Sequence, residues 1–295
     1  MSKLTNPYLR KRHQSQESHS AENQRLTIKS IIEQGIHGLC FSPYIEGQGP
    51  RSVITKGQVK QRLELIAGNV SWVRSFSCTE GNELVPIVAK EMGLSTLVGV
   101  WLDDDFEANE RELAGAFELL ARGVVDMLAV GNEVMLREEM TAQQLVSYIE
   151  RAKAAAKGVP VGYVDAYYLF EENPIVADAC DIVFANCYPF WEGYDINHAL
   201  VYMKDMYYRA KAVAGDKPVI ISETGWPNQG SLEGQALPSE QNAMRYFIDA
   251  TRWTEQLNIP LFYFSAFDEA WKIDVEGDVG AYWGLWDKDG KPKFW

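Results

Sequence analysis

Residues that form disulfide frameworks and metal sites are scarce in this sequence. Only four cysteines and four histidines occur among the 295 residues, and no CxxC pair, HExxH motif or other ligand-like spacing relates them. We therefore predict no metal site and no cofactor. The cysteines lie within or beside apolar segments, so we expect free, buried thiols at Cys40, Cys78, Cys180 and Cys187.

Basic residues are also in deficit. The chain has 28 Lys and Arg against 41 Asp and Glu, which gives a net charge of −13. Such a charge repels polyphosphates and anionic membrane surfaces, so we expect no nucleic-acid partner. No segment contains about 18 uncharged apolar residues in a row, and we predict no membrane-spanning helix. We expect the protein to be a monomer.

Residues 1–27 lack an apolar stretch and are predicted to form a polar N-terminal extension. A signal peptide requires an apolar central region, so we expect neither a signal peptide nor an anchor here. Together with free thiols, this composition predicts a cytoplasmic protein. A chain whose leader had been removed would have the same sequence, so a secreted or periplasmic location stays open.

The remaining residues, 28–295, are predicted to form one catalytic domain. With 46% hydrophobic residues the chain can bury a large core. Strand-like segments alternate with amphipathic helical ones. The strands are predicted at 36–41, 71–76, 95–101, 126–130, 159–164, 182–186, 218–222 and 261–264, and the helices at 58–67, 82–92, 109–122, 141–157, 171–179, 197–214 and 239–257.

Eight strands with seven helices between them predict an α/β protein of the (β/α)8 TIM-barrel class. The eighth helix is expected to be short or missing, because the C-terminal segment is rich in aromatic and turn residues. A doubly wound open sheet is the rival architecture. That fold normally has a glycine-rich phosphate turn after its first strand, and Gly47-Gln48-Gly49-Pro50 does not continue into such a motif.

Two glutamates each end an apolar run: Glu133 follows Leu128-Ala129-Val130-Gly131-Asn132, and Glu223 follows Val219-Ile220-Ile221-Ser222. An apolar run that stops at an acid is typical of a buried parallel strand that presents a carboxylate at the edge of the sheet. Barrel enzymes build their sites at this edge, and two carboxylates can share the chemistry at a glycosidic bond. We predict Glu133 and Glu223, on strands 4 and 7, as catalytic residues; either could instead cap a following helix.

Other polar and aromatic residues follow the predicted strand ends. They form a set of acids, amides and aromatics with few cations, which suits a neutral polyol such as a sugar. The predicted substrate-binding residues are Tyr44, Arg74, Asn132, Asn186, Tyr188, Trp191, Glu192, Trp226, Glu269 and Lys272.

Four motifs together resemble glycoside hydrolase family 17, the retaining β-1,3-glucan enzymes. These are Gly131-Asn132-Glu133, Asn186-Cys187-Tyr188-Pro189-Phe190, Ser222-Glu223-Thr224-Gly225-Trp226-Pro227 and Phe267-Asp268-Glu269-Ala270-Trp271-Lys272. The resemblance extends over residues 37–272. It implies a barrel that hydrolyses β-1,3-glucan or transfers glucosyl units, with Glu223 as nucleophile and Glu133 as acid/base. The short stretch between Trp191 and Lys217 is closer to compact bacterial and fungal members than to plant ones.

Several alternatives stay open at this level. The barrel could bind glucan without catalysis, or it could be a retaining enzyme for β-1,4-linked glucan or mannan. Arg74 could hold Glu223 ionised or be a buried ion-pair partner only, and Glu269 and Lys272 could form a surface ion pair. Trp191 could stack on an acceptor sugar or pack against the following helix.

Overall fold

Eight parallel strands close into a single barrel in the computed structural model, which describes residues 20–295. Each strand pairs with the next along the chain, and β8 pairs with β1 to complete the ring. The predicted (β/α)8 barrel is therefore confirmed. In chain order, β1 to β8 are Ile36–Cys40, Val70–Arg74, Ser95–Val100, Met127–Asn132, Val161–Ala166, Ile182–Asn186, Val219–Thr224 and Leu261–Tyr263.

The strands are buried because helices cover the outside of the barrel while side chains fill its interior. Every residue of β6 and β7 is buried, which fits the apolar runs 182–185 and 219–221 with which these strands begin. The helices α1 to α10 are Ala21–Gln34, Lys56–Glu64, Leu84–Glu91, Phe106–Ala121, Ala142–Ala156, Tyr167–Glu172, Pro174–Ala179, Ile196–Ala214, Glu240–Leu257 and Ile273–Glu276.

Helix α1 crosses the boundary that we predicted between residues 27 and 28. The Ser20 side chain accepts a hydrogen bond from the backbone of Asn23 and caps the helix, and Ile28, Ile31 and Ile32 are buried on its inner face. Few apolar residues on a mostly polar helix make a weak sequence signal, which explains why this helix was not predicted. The rest of the predicted extension, residues 1–19, lies outside the described residues.

Helix α1 contacts two parts of the chain that are far from it in sequence. At its start, the Gln24 side chain donates to the backbone oxygen of Gln241 at the beginning of α9, 3.4 Å away. At its end, the backbone oxygen of Ile32 accepts from the Asn69 side chain, just before β2, at 3.2 Å. The helix therefore lies between α9 and the turn that leads into β2.

The segment after β8 contains only short helical turns, as predicted. Helix α10 has four residues and lies between two 3-10 turns, Ala270–Lys272 and Gly277–Val279. Aromatic packing fixes the C-terminal tail, in which Trp286 contacts both Phe267 and Trp295. No helix of the described residues is long and apolar enough to cross a membrane. All four cysteines are buried and unpaired, as predicted.

Candidate active site

A cleft of about 960 Å³ opens at the C-terminal ends of the strands. Both predicted catalytic glutamates line it, so the two carboxylates share one face of the barrel. The lining is mainly polar and aromatic. Of the predicted substrate-binding residues, it includes Tyr44, Asn132, Asn186, Tyr188, Trp191, Glu192 and Lys272, but not Arg74, Trp226 or Glu269.

Glu223 is held by two donors of different kinds. It lies near the end of β7 and is 5% exposed. Arg74 Nη1 donates to one carboxylate oxygen at 2.6 Å, and the Tyr188 hydroxyl donates to the other at 2.8 Å. A carboxylate with both oxygens engaged in hydrogen bonds, one of them from a cation, has a fixed orientation.

Arg74 lies beneath the cleft and does not face it. Its side chain is 1% exposed, and its guanidinium stacks on the ring of Phe76 at 4.3 Å. The second nitrogen, Nη2, donates to Asn132 Oδ1 at 2.6 Å. Arg74 is thus a buried ion-pair partner of Glu223, one of the two alternatives considered, and its assignment as a substrate contact is corrected: burial leaves it a role in orienting Glu223 and Asn132.

Glu133 follows β4 directly and has a left-handed backbone, with φ +53°. Its partner is neutral: Asn186 Nδ2 donates to Oε1 at 2.7 Å, and Asn186 is itself fixed by a hydrogen bond from Ser222 at 2.8 Å. Burial, followed by the negative charge of Glu223, raises the pKa of Glu133 to about 7. The carboxyl can therefore hold a proton near neutral pH.

The chain reaches this conformation through Gly131, which has φ +90°. A Cβ atom at that position would lie 3.1 Å from the ring of Tyr163, closer than ordinary packing allows. Glycine therefore permits both the positive φ and the close approach of β5. The sequence Gly131-Asn132-Glu133 thus turns the chain sharply at the end of β4 and points the acid into the cleft.

Trp191 and Glu192 lie on the cleft beyond β6. Trp191 is 38% exposed and packs edge-to-face on Phe190, with Trp283 as a second ring neighbour. Its body is therefore supported by aromatic residues while part of its surface faces the cleft. Glu192 accepts a hydrogen bond from Tyr167, whose hydroxyl in turn accepts from Arg209 Nη1 at 3.2 Å.

Lys272 and Glu269 form a buried pair instead of the surface ion pair that we considered. Lys272 lines the cleft, with its ammonium 4.2 Å above the ring of Phe264. Glu269 is 7% exposed, lies outside the lining, and accepts from the indole of Trp271 at 3.0 Å. We therefore correct the assignment of Glu269 as a substrate contact, because its carboxylate lies 3.7 Å from Lys272 and acts on that side chain.

Trp226 also requires a correction. The side chain is 1% exposed, packs against Phe190 and Tyr246, and donates its indole N–H to the backbone oxygen of Leu237 at 3.0 Å. A ring enclosed in this way offers no face to a sugar. Trp226 belongs to the core behind β7.

Further residues line the cleft. Trp101 follows β3 directly and ends the third predicted strand, 95–101, so the sequence already indicated its place on the active face. Tyr168 and Glu276 lie in short helices after β5 and β8, where sequence offers no such signal. Within residues 20–295, no cluster of three or more histidine, cysteine, aspartate or glutamate side chains could hold a metal ion.

Comparison with known proteins identifies the family. A model described as the BtgE/BtgC glycoside hydrolase domain matches residues 38–284. A crystal structure of the glycoside hydrolase family 17 β-1,3-glucanosyltransferase of Rhizomucor miehei superimposes with a TM-score of 0.79 and 30% identity, covering 88% of this chain and 96% of that one. The chain belongs to glycoside hydrolase family 17. The resemblance predicted from the four motifs is confirmed, and the protein is a glycoside hydrolase.

More distant relatives agree with this placement. The glucan 1,3-β-glucosidase BGL2 of Candida albicans is 27% identical over 259 residues, which cover 79% of this chain and 83% of the relative. The probable β-glucosidase btgE of Aspergillus clavatus is 26% identical over 260 residues, covering 85% of this chain and 45% of the relative. A β-1,3-glucanase from Cryptomeria japonica pollen, at 17% identity and a TM-score of 0.59, shares the fold.

Proposed function

We propose that this glycoside hydrolase acts on β-1,3-glucan by a retaining double displacement, with Glu223 as nucleophile and Glu133 as acid/base. The observation that carries the proposal is the unlike surroundings of the two acids. Glu223 is paired with Arg74, whereas the Glu133 carboxyl, within residues 20–295, accepts from the neutral Asn186 amide and has a pKa raised to about 7. Two carboxyl groups in such different surroundings can divide the nucleophile and acid roles.

In the first step, a carboxylate oxygen of Glu223 attacks the anomeric carbon while the glycosidic bond breaks. Glu133 gives its proton to the departing oxygen, so that the leaving sugar departs as a neutral alcohol. The Arg74 and Tyr188 contacts hold the attacking carboxylate in one orientation, which lowers the entropic cost of reaching the transition state. The product is a covalent glycosyl-enzyme.

In the second step, Glu133 is the base. It removes a proton from water or from a sugar hydroxyl, whose oxygen attacks the anomeric carbon and releases Glu223. Asn132 stabilises both transition states by donating a hydrogen bond to the 2-hydroxyl of the sugar whose glycosidic bond is cleaved. Because its Oδ1 already accepts from Arg74, the amide nitrogen is the group available to that hydroxyl.

We propose β-1,3-linked glucose as the substrate because the relatives named above are glucan 1,3-β-glucosidases and a β-1,3-glucanosyltransferase. We further propose that Trp191 and Glu192 bind an acceptor sugar. The exposed indole offers a flat stacking face, and the Arg209–Tyr167 contacts support the Glu192 carboxylate. A sugar held there can intercept the glycosyl-enzyme in competition with water.

Product analysis on a ladder of laminari-oligosaccharides tests this function. We expect the wild-type chain to produce both shorter and longer oligosaccharides, whereas Glu133→Gln and Glu223→Gln produce neither. Shorter products alone would support hydrolysis and remove the proposed transfer. Degradation of β-1,4-linked gluco- or manno-oligosaccharides in preference to laminari-oligosaccharides would overturn the linkage. Binding of laminari-oligosaccharides without any product would instead indicate a silent glucan-binding barrel.

A further inference from the structure

Two buried residues of β5 are connected to the backbone segment that carries Glu133. The Tyr163 hydroxyl donates to the Asp165 carboxylate and accepts from the backbone N–H of Met135 at 3.0 Å. Asp165 also accepts from the backbone N–H groups of Ala166, at 2.8 Å, and Leu136. These residues are two positions apart on the strand and hence point to the same side of it.

Both side chains are almost completely removed from solvent. Tyr163 is 1% exposed, and Asp165 is fully buried. Neither lines the cleft, so neither can contact a sugar there. A buried carboxylate is costly unless several donors compensate it, and here the donors include the phenol and two backbone amides. The buried carboxylate of Asp165 must therefore have a role other than substrate binding.

We propose that Asp165 and Tyr163 are positioning residues for the acid/base Glu133. They fix the backbone of Met135 and Leu136, which directly follows the left-handed turn at Glu133, and so hold that carboxyl at the leaving oxygen. The inference rests on the proposed acid/base role of Glu133. Asp165 and Tyr163 would then contribute to proton transfer from behind the cleft, without contacting the substrate.

Asp165 also acts on Glu133 through its charge. The negative carboxylate is one of the causes that raise the pKa of Glu133, after burial and after Glu223. The titratable and charged groups that face these two acids come from several elements: Arg74 on β2, Arg137 after β4, Tyr163 on β5, Tyr168 on α6, Tyr188 after β6 and Glu223 on β7. Asp165 acts on Glu133 in two ways, through its charge and through the hydrogen bond that it accepts from the Leu136 backbone, three residues after Glu133.

Asp165→Asn tests the proposal because it removes the charge and keeps the shape of the side chain. With laminari-oligosaccharides, we expect the alkaline limb of the kcat/KM profile to move to lower pH by about 0.5 to 1 unit, because loss of the negative neighbour favours ionisation of Glu133. A residue that only stabilises the fold would lower the melting temperature without moving this limb. An unmoved limb in a folded variant would overturn the proposal.

Tyr163→Phe is a second variant, which keeps the Asp165 charge and removes the tie to Met135. We expect laminari-oligosaccharide turnover to fall about tenfold, while first-turnover release of nitrophenol from an activated aryl glucoside, which needs no acid, changes little. Tyr263→Phe, in β8, is the matched control for loss of a buried phenol hydroxyl and should leave both rates unchanged. Equal losses on both substrates in Tyr163→Phe would contradict positioning through Glu133.

Failure of this inference can be told apart from failure of the proposed function. If the wild-type chain does not act on laminari-oligosaccharides, or if Glu133→Gln still cleaves them, the function itself is wrong. If the wild type is active and Glu133→Gln is not, the function stands, and only the two β5 variants decide whether Asp165 and Tyr163 position the acid.

Discussion

Arg74 and Glu223 form a buried ion pair below the cleft, with Nη1 of the arginine 2.6 Å from Oε1 of the glutamate. The other end of the same guanidinium binds Asn132, the residue before Glu133. One cation thus connects β2 with the ends of β4 and β7, the two strands that supply the acids. Because the pair is buried, each charge depends on the other for compensation.

Replacing Arg74 should therefore damage catalysis and stability together. We expect Arg74→Met to lower kcat/KM at least about 100-fold for laminari-oligosaccharides and activated aryl glucosides alike, because both need an oriented nucleophile. The uncompensated carboxylate should cost roughly 3 to 5 kcal/mol in the free energy of unfolding. Steady-state kinetics and urea unfolding measure the two effects.

Arg74→Lys is the matched control. It keeps the positive charge but lacks the planar guanidinium whose two nitrogens donate to Glu223 and to Asn132. We expect it to retain more stability than Arg74→Met while remaining slow on both substrates. An Arg74→Met variant with full activity toward either substrate would show that the ion pair does not orient the nucleophile.

The pH dependence of kcat/KM should report the proton on Glu133. Its pKa is raised to about 7, so the acid form is present below this pH and is lost above it. We expect activity on laminari-oligosaccharides to fall on the alkaline side with a midpoint near pH 7. First-turnover nitrophenol release from an activated donor should lack this limb, and the same limb in both profiles would assign it to another group.

The same raised pKa has a consequence for stability. A carboxyl that titrates at 4.5 when unfolded and at about 7 when folded binds its proton more tightly in the folded state. The tighter proton binding contributes fully to the free energy of unfolding below pH 4.5, and this contribution is lost as the pH rises through 7. Glu133→Gln stays neutral at every pH and lacks this loss. The melting temperature of the variant minus that of the wild type, measured by calorimetry, should therefore increase as the pH is raised from 5 to 8. A constant difference across this range would contradict the raised pKa.

Trp191 and Trp226 should respond differently to substitution, although both were predicted from the sequence to bind substrate. Trp191→Ala should lower the ratio of transfer to hydrolysis more than it lowers donor consumption, because its exposed face is proposed to bind the acceptor. Trp226→Phe, in the core, should lower the melting temperature and leave the ratio unchanged. Product analysis at a fixed donor concentration measures this ratio in both variants. An unchanged ratio of transfer to hydrolysis in Trp191→Ala would show that Trp191 only packs against its neighbours and does not bind the acceptor.

The fold and the position of Glu133 and Glu223 at the cleft could be predicted because their signals are local. Each strand is a short apolar run, and in a parallel barrel the residue that ends the run lies on the active face. Glu133 and Glu223 both satisfy this rule, and so does Trp101 at the end of the third predicted strand. Helix α1 was missed for the opposite reason, since Ile28, Ile31 and Ile32 are the apolar residues of its buried face and most of its other residues are polar.

The direction in which a side chain points could not be predicted, because it depends on partners distant in sequence. Trp226 lies three residues after Glu223, yet contacts with Tyr246 on α9 and the Leu237 backbone hold it in the core. Arg74 turns beneath the cleft because Glu223 and Asn132 both accept from it. Such arrangements emerge only when strands far apart in the chain are brought together.

Trapping the covalent intermediate tests the central claim most directly. A 2-deoxy-2-fluoro laminaribioside with a good leaving group should form a long-lived adduct, because the fluorine slows the second step more than the activated first one. Mass spectrometry of the digested protein should then find one glycosyl group on the peptide that contains Glu223, and none in Glu223→Gln. Labelling of Glu133, or steady turnover of laminari-oligosaccharides by Glu223→Gln, would contradict the assignment of the two acids.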